Sequence, residues 1–261
     1  MDPWRLIVDP PSPAGYNMAV DETLADACRR GFIGPTLRLY SWDRPSISLG
    51  YFQRPEAVVD LERCRAAGVP VVKRTTGGRA VYHYREVTYS LVAPTPHPLF
   101  APTIRGAYEV VARALASGLA DLDVRVELHP RDPERPRRTA RTPLCFDSTS
   151  RFELTVHGKK VVGSAQRRWP TAFLQHGSIL LAYDATEAES WFPGHAAAPD
   201  SIIGLNAFRP EISPDDIRRA VCSGVERAFG VRLVLDTLSA EEADAVAQSS
   251  QSRDLTVTQV V

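Results

Sequence analysis

The chain has little cysteine, and none of it is arranged to build a metal site or a disulfide framework. Its four cysteines are Cys28, Cys64, Cys145 and Cys222, with no CxxC pair and no histidine at zinc spacing. Reduced thiols in a cytoplasmic protein are therefore the simpler reading, and no metal is expected. Net charge is also missing: 31 Lys and Arg balance 31 Asp and Glu. That balance argues against a protein working mainly on bulk nucleic acid, while a local basic patch stays open. No apolar run approaches the roughly 20 residues that a membrane helix needs. The opening "MDPWRLIVDPPSP" has no basic stretch leading into an apolar one, so neither membrane nor secretory signal is expected. Phosphate-loop signatures are missing too. The glycine pair in "RTTGGRAVYH" (74–83) is not followed by GK[ST] and does not fit GxGxxG.

What is there suits an ordinary globular protein, with 261 residues, 44% hydrophobic and 24% charged. "TLRLY" (36–40), "SISLG" (46–50) and the β-branched, aromatic "VTYSLVA" (87–93) read as strands. "FELTV" and "KKVV" (152–162), separated by His157-Gly158, read as a hairpin. Residues 16–30 are helix-prone up to Gly31. Ile104, Tyr108, Val111, Leu115 and Leu119 share one helical face. Ser213, Pro214 and Asp216 open a further helix with a capping box, whose face of Ile217, Val221, Val225 and Phe229 runs to Gly230. Strands and helices interleave without regular βαβ units, which predicts an α+β fold, a mixed sheet with flanking helices. About thirty residues follow Gly230, too few for a second domain, so 1–261 is expected to be a single domain. "HPRDPERPRRTARTP" (129–143) holds five arginines and four prolines, and reads as a mobile Arg/Pro-rich loop or an insertion.

Several stretches have the residue types of a site. Gly77 and Gly78 remove side chains, so a ligand or another strand can approach the backbone, whose N–H groups suit a carbonyl or an anion; a tight turn between strands is the plainer use. Lys160 precedes the small run Gly163-Ser164-Ala165, where an ammonium group suits a carbonyl or phosphate; a solvated lysine at a strand edge is the alternative. Gly177 and Ser178 form a second small pair ahead of an apolar strand. Beside them His176 is either an acid–base group or structural. Cys28, Cys64 and Cys222 fall in helix-prone segments and read as buried packing. Cys145 differs. It sits in "TPLCFDSTSRFEL" after the basic loop, a setting that favours a thiolate and hence an acyl acceptor.

Taken together, "NMAVDETL" (17–24), "SWDRPSISLGYFQ" (41–53), "KRTTGGRAVYHYREVTYS" (73–90), "GKKVVGSAQRR" (158–168) and "LQHGSILL" (174–181) resemble the lipoate–protein ligase and lipoyl (octanoyl) transferase family, in family order. The resemblance implies the catalytic domain shared with biotin protein ligases, built around a tunnel for a medium-length acyl chain. It places Arg74, Thr76, Gly77, Gly78, Arg79, His83, Gly163, Ser164, Ala165, His176 and Gly177 at the substrate. Lys160 would then meet the acyl carbonyl. The stretch from Cys145 to Gln166 looks most like the cysteine-dependent octanoyltransferases of the LipM type, which implies Cys145 as the acyl acceptor.

In that branch octanoyl–acyl carrier protein is the donor and a lipoyl-domain protein, such as the glycine cleavage H protein, is the acceptor. No cofactor is implied. An ATP-dependent lipoate ligase on the same fold is the alternative. Arg74, Arg79 and Lys160 would then meet an adenylate phosphate, and ATP with Mg would be required. Such ligases commonly carry a third glycine where this chain has Arg79. A non-catalytic acyl- or carrier-binding protein is the third reading. Two departures stand out. The lead-in to the glycines reads Lys73-Arg74-Thr75-Thr76, and the Arg/Pro segment has no family counterpart; its arginines Arg131, Arg135, Arg137, Arg138 and Arg141 would steer an acidic partner or simply be solvated.

Overall fold

Strand side chains alternate between two faces, and in this chain the two faces differ sharply in polarity. The computed structural model describes residues 2–128, 153–193 and 201–256. In chain order its elements are β1 (Pro3–Ser12), α1 (Ala14–Arg29), β2 (Thr36–Trp42), β3 (Ser46–Leu49), α2 (Leu61–Ala66), β4 (Val71–Lys73), β5 (Val81–His83) and β6 (Glu86–Pro94). There follow α3 (Ile104–Leu119), β7 (Glu127–Leu128), β8 (Leu154–Val156), β9 (Lys159–Arg168), β10 (Ala172–Leu180), α4 (Ala185–Glu189), α5 (Pro214–Phe229), β11 (Arg232–Asp236) and α6 (Ala240–Ser250). Eight strands form a large mixed sheet in the order β11-β1-β2-β6-β10-β9-β8-β7, and three form a small one, β4-β3-β5. The expected α+β mixed sheet with flanking helices is what the chain adopts.

One face of the large sheet is apolar. Leu37 and Leu39 of β2, Val87, Tyr89, Leu91 and Ala93 of β6, and Phe173 and Ile179 of β10 pack against α3 and α5. Those helices lie close because glycines meet backbone at their crossing. A Cβ on Gly118 would stand 2.0 Å from the Ala220 carbonyl oxygen, and one on Gly224 2.3 Å from that of Ala114. Both helices begin as their sequences indicate. Thr103 caps α3, and Ser213 with Asp216 forms a reciprocal capping box on α5. Gly230 ends α5 at φ 65°, a left-handed conformation that glycine adopts without strain. Ile104 is the exception on the α3 face: it is exposed in the first turn, and the buried stripe starts at Ala107.

The opposite face meets α1 and, through it, α6. Ile7, Val92 and Leu174 pack there with Ala19, Val20, Leu24 and Cys28. The same face also carries Arg38, Tyr40, Thr88, Ser90, His176 and Ser178, all buried. Buried polar groups require partners: Arg38, Tyr40 and His176 find them on α1, Ser178 on His83 of the small sheet and on Glu86, and Thr88 on Trp42 and Glu86, while the Ser90 hydroxyl has no hydrogen-bond partner among the described residues.

The β8–β9 connection is the expected two-residue hairpin, with His157 at φ 50° and Gly158 at φ 74°. The small runs expected beside strands lie within them: Gly163-Ser164-Ala165 is interior to β9 and Gly177-Ser178 to β10. Small residues tolerate an interior strand position here because neighbouring chains fill the space. A Cβ on Gly177 would come within 2.5 Å of the Gly163 carbonyl oxygen and 2.8 Å of the Tyr89 ring. Among the described residues no helix is long and apolar enough to cross a membrane.

Candidate functional site

The paired glycines sit in the loop joining β4 to β5, and both the loop and its surroundings are built for close approach. Gly78 adopts φ 93°, out of reach for most side chains. At Gly77 an added Cβ would meet open space, so that position is kept clear rather than packed. Beneath the loop, Gly50 is the packing glycine: a Cβ there would lie 1.9 Å from the Gly78 carbonyl oxygen.

Two sets of hydrogen bonds hold the loop. Arg74 is buried, and its Nη1 donates to the Ser48 carbonyl (2.9 Å) and Ser48 Oγ (3.0 Å). Its Nη2 donates to the carbonyls of Gly77 (3.0 Å) and Arg79 (2.5 Å). The guanidinium fork thus ties the two ends of the glycine turn to β3, using the planar, multiple-donor geometry particular to arginine. The second tether is Thr76, whose Oγ1 lies 2.7 Å from His176 Nε2, while His176 Nδ1 lies 2.8 Å from Asp21 Oδ2. A carboxylate only accepts, so Nδ1 carries the proton and the threonine hydroxyl donates to Nε2.

Asp21, on α1, is the hub of this relay. Its Oδ1 accepts from Arg38 Nη1 at 2.9 Å, while Tyr40 donates at 3.0 Å to Oδ2, the oxygen that also meets His176. Burial pushes the Asp21 carboxyl up, but the hydrogen bond from His176 and the charge of Arg38 outweigh it and hold the group below the usual aspartate range. Arg38 is completely buried and also bonds Asp9 (2.7 Å) and both Asn17 oxygens.

A second carboxylate–histidine–hydroxyl relay runs alongside. Glu86 Oε1 lies 2.9 Å from His83 Nδ1, and His83 Nε2 lies 2.7 Å from Ser48 Oγ, the same hydroxyl that Arg74 holds. Trp42 stacks on the His83 ring at 3.9 Å and donates to Glu86. Burial depresses the His83 pKa, with Glu86 opposing only in part, so the ring favours its neutral form. Both relays border a narrow cavity lined by Met18, Trp42, Val81, Gly163, Ala165 and Ser178 among others. Its volume is ≈ 30 Å³, about that of one water. Ser164 points to the other face of the sheet, where its hydroxyl meets Tyr89 at 2.7 Å. A much larger hollow, ≈ 1210 Å³, opens between α1, α6 and the β9–β10 turn, and its charges are mostly paired with one another, as Arg5 is with Glu242 and Arg253 with Glu22.

Lys160 is not a solvated edge lysine. It is buried on β9, and its ammonium lies 2.5 Å from the equally buried Glu153 carboxylate. A buried charge pair is costly to assemble and costlier to break, so this is a defined feature of the strand. Cys28, Cys64 and Cys222 are helical as expected, and burial pushes each thiol up to about 11, far from thiolate formation at neutral pH. Cys145 and the 129–143 segment, with its five arginines, lie outside the described residues.

The structure therefore gathers Arg74, Thr76, Gly77, Gly78, Arg79, His83, Gly163, Ala165 and His176 at one place; Ser164 and Gly177 also border the cavity, although the Ser164 hydroxyl turns toward Tyr89 on the α3 side. The residues that orient the site went unread in the sequence: Asp21, Arg38, Ser48, Glu86 and Glu153. The signal for Arg38 was present, as a charged residue between two leucines on a strand has to find a buried partner.

Comparison with known proteins points the same way. Residues 13–226 match the family described as lipoyl protein ligase A/B catalytic domain. The octanoyltransferase LipM of Kyrpidia tusciae is 40% identical over 265 residues, covering 95% of each chain. That of Moorella thermoacetica is 46% identical over 185 residues, covering 70% of this chain and 67% of its own. Among solved structures, a lipoate–protein ligase A bound with ATP superposes with a TM-score of 0.79 at 22% identity, covering 97% of this chain and 95% of that one, a likeness of fold. With its catalytic-domain match running through both histidine relays and the glycine loop, this chain belongs to the lipoyl protein ligase A/B catalytic domain family.

Proposed function

We propose that this protein is an octanoyltransferase that carries the acyl group on Cys145 between an acyl carrier protein and the lysine of a lipoyl domain. The observation that carries the reading is the glycine loop, clamped by Arg74 and by the Thr76–His176 bond beside a strand floor of Gly163 and Ala165. A thioester carbonyl can lie along such a backbone because nothing projects from it. The relatives named octanoyltransferase cover the chain at 40% identity. Three of the four cysteines are helical thiols with raised pKa values, which leaves Cys145 as the candidate nucleophile.

In this mechanism the Cys145 thiolate attacks the donor thioester carbon. The carbon–sulfur bond to the carrier breaks, and the carrier's thiolate leaves and takes up a proton. The neutral amine of the acceptor lysine then attacks the acyl carbon. Its bond to Cys145 breaks, and the proton lost by the amine returns to the thiolate. One thioester replaces another in the first step, and the amide formed in the second makes the transfer favourable without ATP. Lys160 supplies positive charge for the oxyanion and the thiolate, with Glu153 fixing its position. The cavity holds about one water, so the acyl tail enters as Met18, an unbranched and adaptable side chain, moves aside.

Intact-protein mass spectrometry tests this directly. The purified protein is mixed with octanoyl–acyl carrier protein without ATP, as wild type and as Cys145→Ala. A hydroxylamine-labile octanoyl adduct on wild type alone is expected. The absence of an adduct, or one that survives in Cys145→Ala, refutes the mechanism.

A further inference from the structure

Directly beside the glycine loop the surface carries a ridge of exposed aromatic rings and unmatched cations. A turn closed by Gln53 N to the Gly50 carbonyl, and by Gly50 N to Gln53 Oε1, presents Tyr51 and Phe52 outward. Tyr51 is 47% exposed and Phe52 87%, an unusual solvation for large rings set edge to face at 5.0 Å. The turn is fastened to the loop, since Tyr51 N donates to the Thr76 carbonyl at 2.9 Å. Arg167 joins them: its guanidinium lies 5.0 Å from the Tyr51 ring and 4.9 Å from the Trp169 ring, and it donates to the Thr75 carbonyl and hydroxyl. Lys73 stands 5.9 Å from the same Tyr51 ring.

What sets this ridge apart is the pairing of cations that lack acids with large exposed rings. Some exposed arginines elsewhere are matched by acids, Arg29 and Arg30 by Asp26, Arg113 by Glu109, Arg219 by Asp216 and Arg227 by Asp121, while Arg63, Arg85 and Arg125 are exposed with no ion pair among the described residues but without large exposed rings beside them. Among the described residues Arg54, Lys73 and Arg167 make no ion pair. One acid, Glu56, follows Arg54 by two positions. In a chain of zero net charge, cations left without acids beside exposed aromatics have the composition of a protein-binding surface.

We propose that this ridge docks the acceptor lipoyl domain, through carboxylates flanking the lysine to be acylated and an apolar contact on Tyr51 and Phe52. The inference rests on the transferase reading above and adds the place where the acceptor binds. Reach selects the occupant. An acceptor lysine has only a four-carbon stem, so its own backbone must come within one side-chain length of the acyl carbon. Whatever flanks the glycine loop therefore touches the acceptor's body. The ridge is what flanks it on the Tyr51 side. A thioester donor carried on a longer prosthetic arm has no such requirement.

The test reads binding rather than turnover, so its result is independent of whether Cys145 is the nucleophile. Wild type and Phe52→Ala/Lys73→Glu are titrated calorimetrically with an unmodified lipoyl domain and, separately, with apo acyl carrier protein. Phe52 and Lys73 make no contact inside the cavity, and unchanged thermal unfolding of the variant is checked alongside. The expected result is at least tenfold weaker binding of the lipoyl domain, a salt-sensitive wild-type affinity, and unchanged binding of the carrier protein. A lipoyl domain that binds the variant as tightly as wild type, or binds neither, overturns the proposal. Weakened carrier binding with unchanged lipoyl-domain binding overturns the choice of occupant.

Discussion

Replacing Asp21 with asparagine tests whether the buried relay organises the loop. The shape is kept, but an amide NH₂ replaces one carboxylate oxygen. In the native protein one oxygen faces Arg38 Nη1 and the other faces both Tyr40 and His176, all donors. Whichever way the amide turns, a donor opposes a donor, and Arg38 loses one of its two charge partners. Breaking a buried pair costs about 3–5 kcal/mol. Asp9 still pairs with Arg38 at 2.7 Å, so the lower end, about 3 kcal/mol, is expected. At roughly 2–4 °C per kcal/mol for a chain of this size, Tm falls by about 6–12 °C.

The effect has a pH signature. Asp21 is held below its ordinary range in the folded state, so between the folded and unfolded values the unfolded chain binds more protons. Its contribution is complete above the unfolded value, about 3.9, and is lost as pH falls through the folded one. Urea unfolding at pH 7 and at successively lower pH therefore shows the gap between Asp21→Asn and wild type closing in acid. A variant within about 0.5 kcal/mol of wild type at pH 7, the scatter of surface changes, refutes the reasoning. So does a gap that widens on acidification.

Other expectations follow from single contacts. Thr76→Val keeps the side-chain shape but leaves His176 Nε2 without its donor, costing about 1–3 kcal/mol; stability should drop by that amount, and the acyl-transfer rate should fall further than KM rises if the loop is displaced. Lys160→Met removes the cation paired with the buried Glu153 carboxylate and is expected to destabilise by about 3 kcal/mol, whereas Lys160→Met/Glu153→Leu should regain most of it; equal stability of the single and double variants in urea argues against the pair. Gly50→Ala drives a methyl into the Gly78 carbonyl, so activity should collapse, while Gly77→Ala, facing open space, should fold like wild type by thermal melt. His83 has a depressed folded pKa, so its neutral form stabilises the protein fully above about 6.5. That stability is lost as pH falls through this value toward the folded one, and His83→Gln should flatten the fall in urea midpoint between neutral pH and pH about 5.

Much of the architecture could be read in one dimension because local chemistry decides it. The capping box at Ser213 and Asp216, the left-handed Gly230, and the His157-Gly158 hairpin all depend on a few neighbouring residues. β1 went unseen for the opposite reason. Its prolines speak against a strand, but the chain accommodates Pro10 and Pro11 at a register shift between Val8 and Pro11, which only the pairing with β2 reveals. β11 and α6 are likewise held by distant partners, β1 and α1.

The site divides along the same line. From the sequence alone came the glycine pair, Arg74, Lys160, the two histidines and the family, since short motifs carry these. What the tertiary structure decided is how they are used. The period of two along β2, β6 and β10 places Arg38, Thr88 and His176 on a common face, and only the packing of α1 across it brings Asp21 within 2.8 Å of His176. The same packing makes His176 an anchor of the loop through Thr76, and burial turns Lys160 from an apparent surface charge into half of a buried pair. Spacing along a chain sets which side chains share a strand face, but the partner of a buried charge is chosen by elements 17 to 155 residues away, which no local pattern encodes.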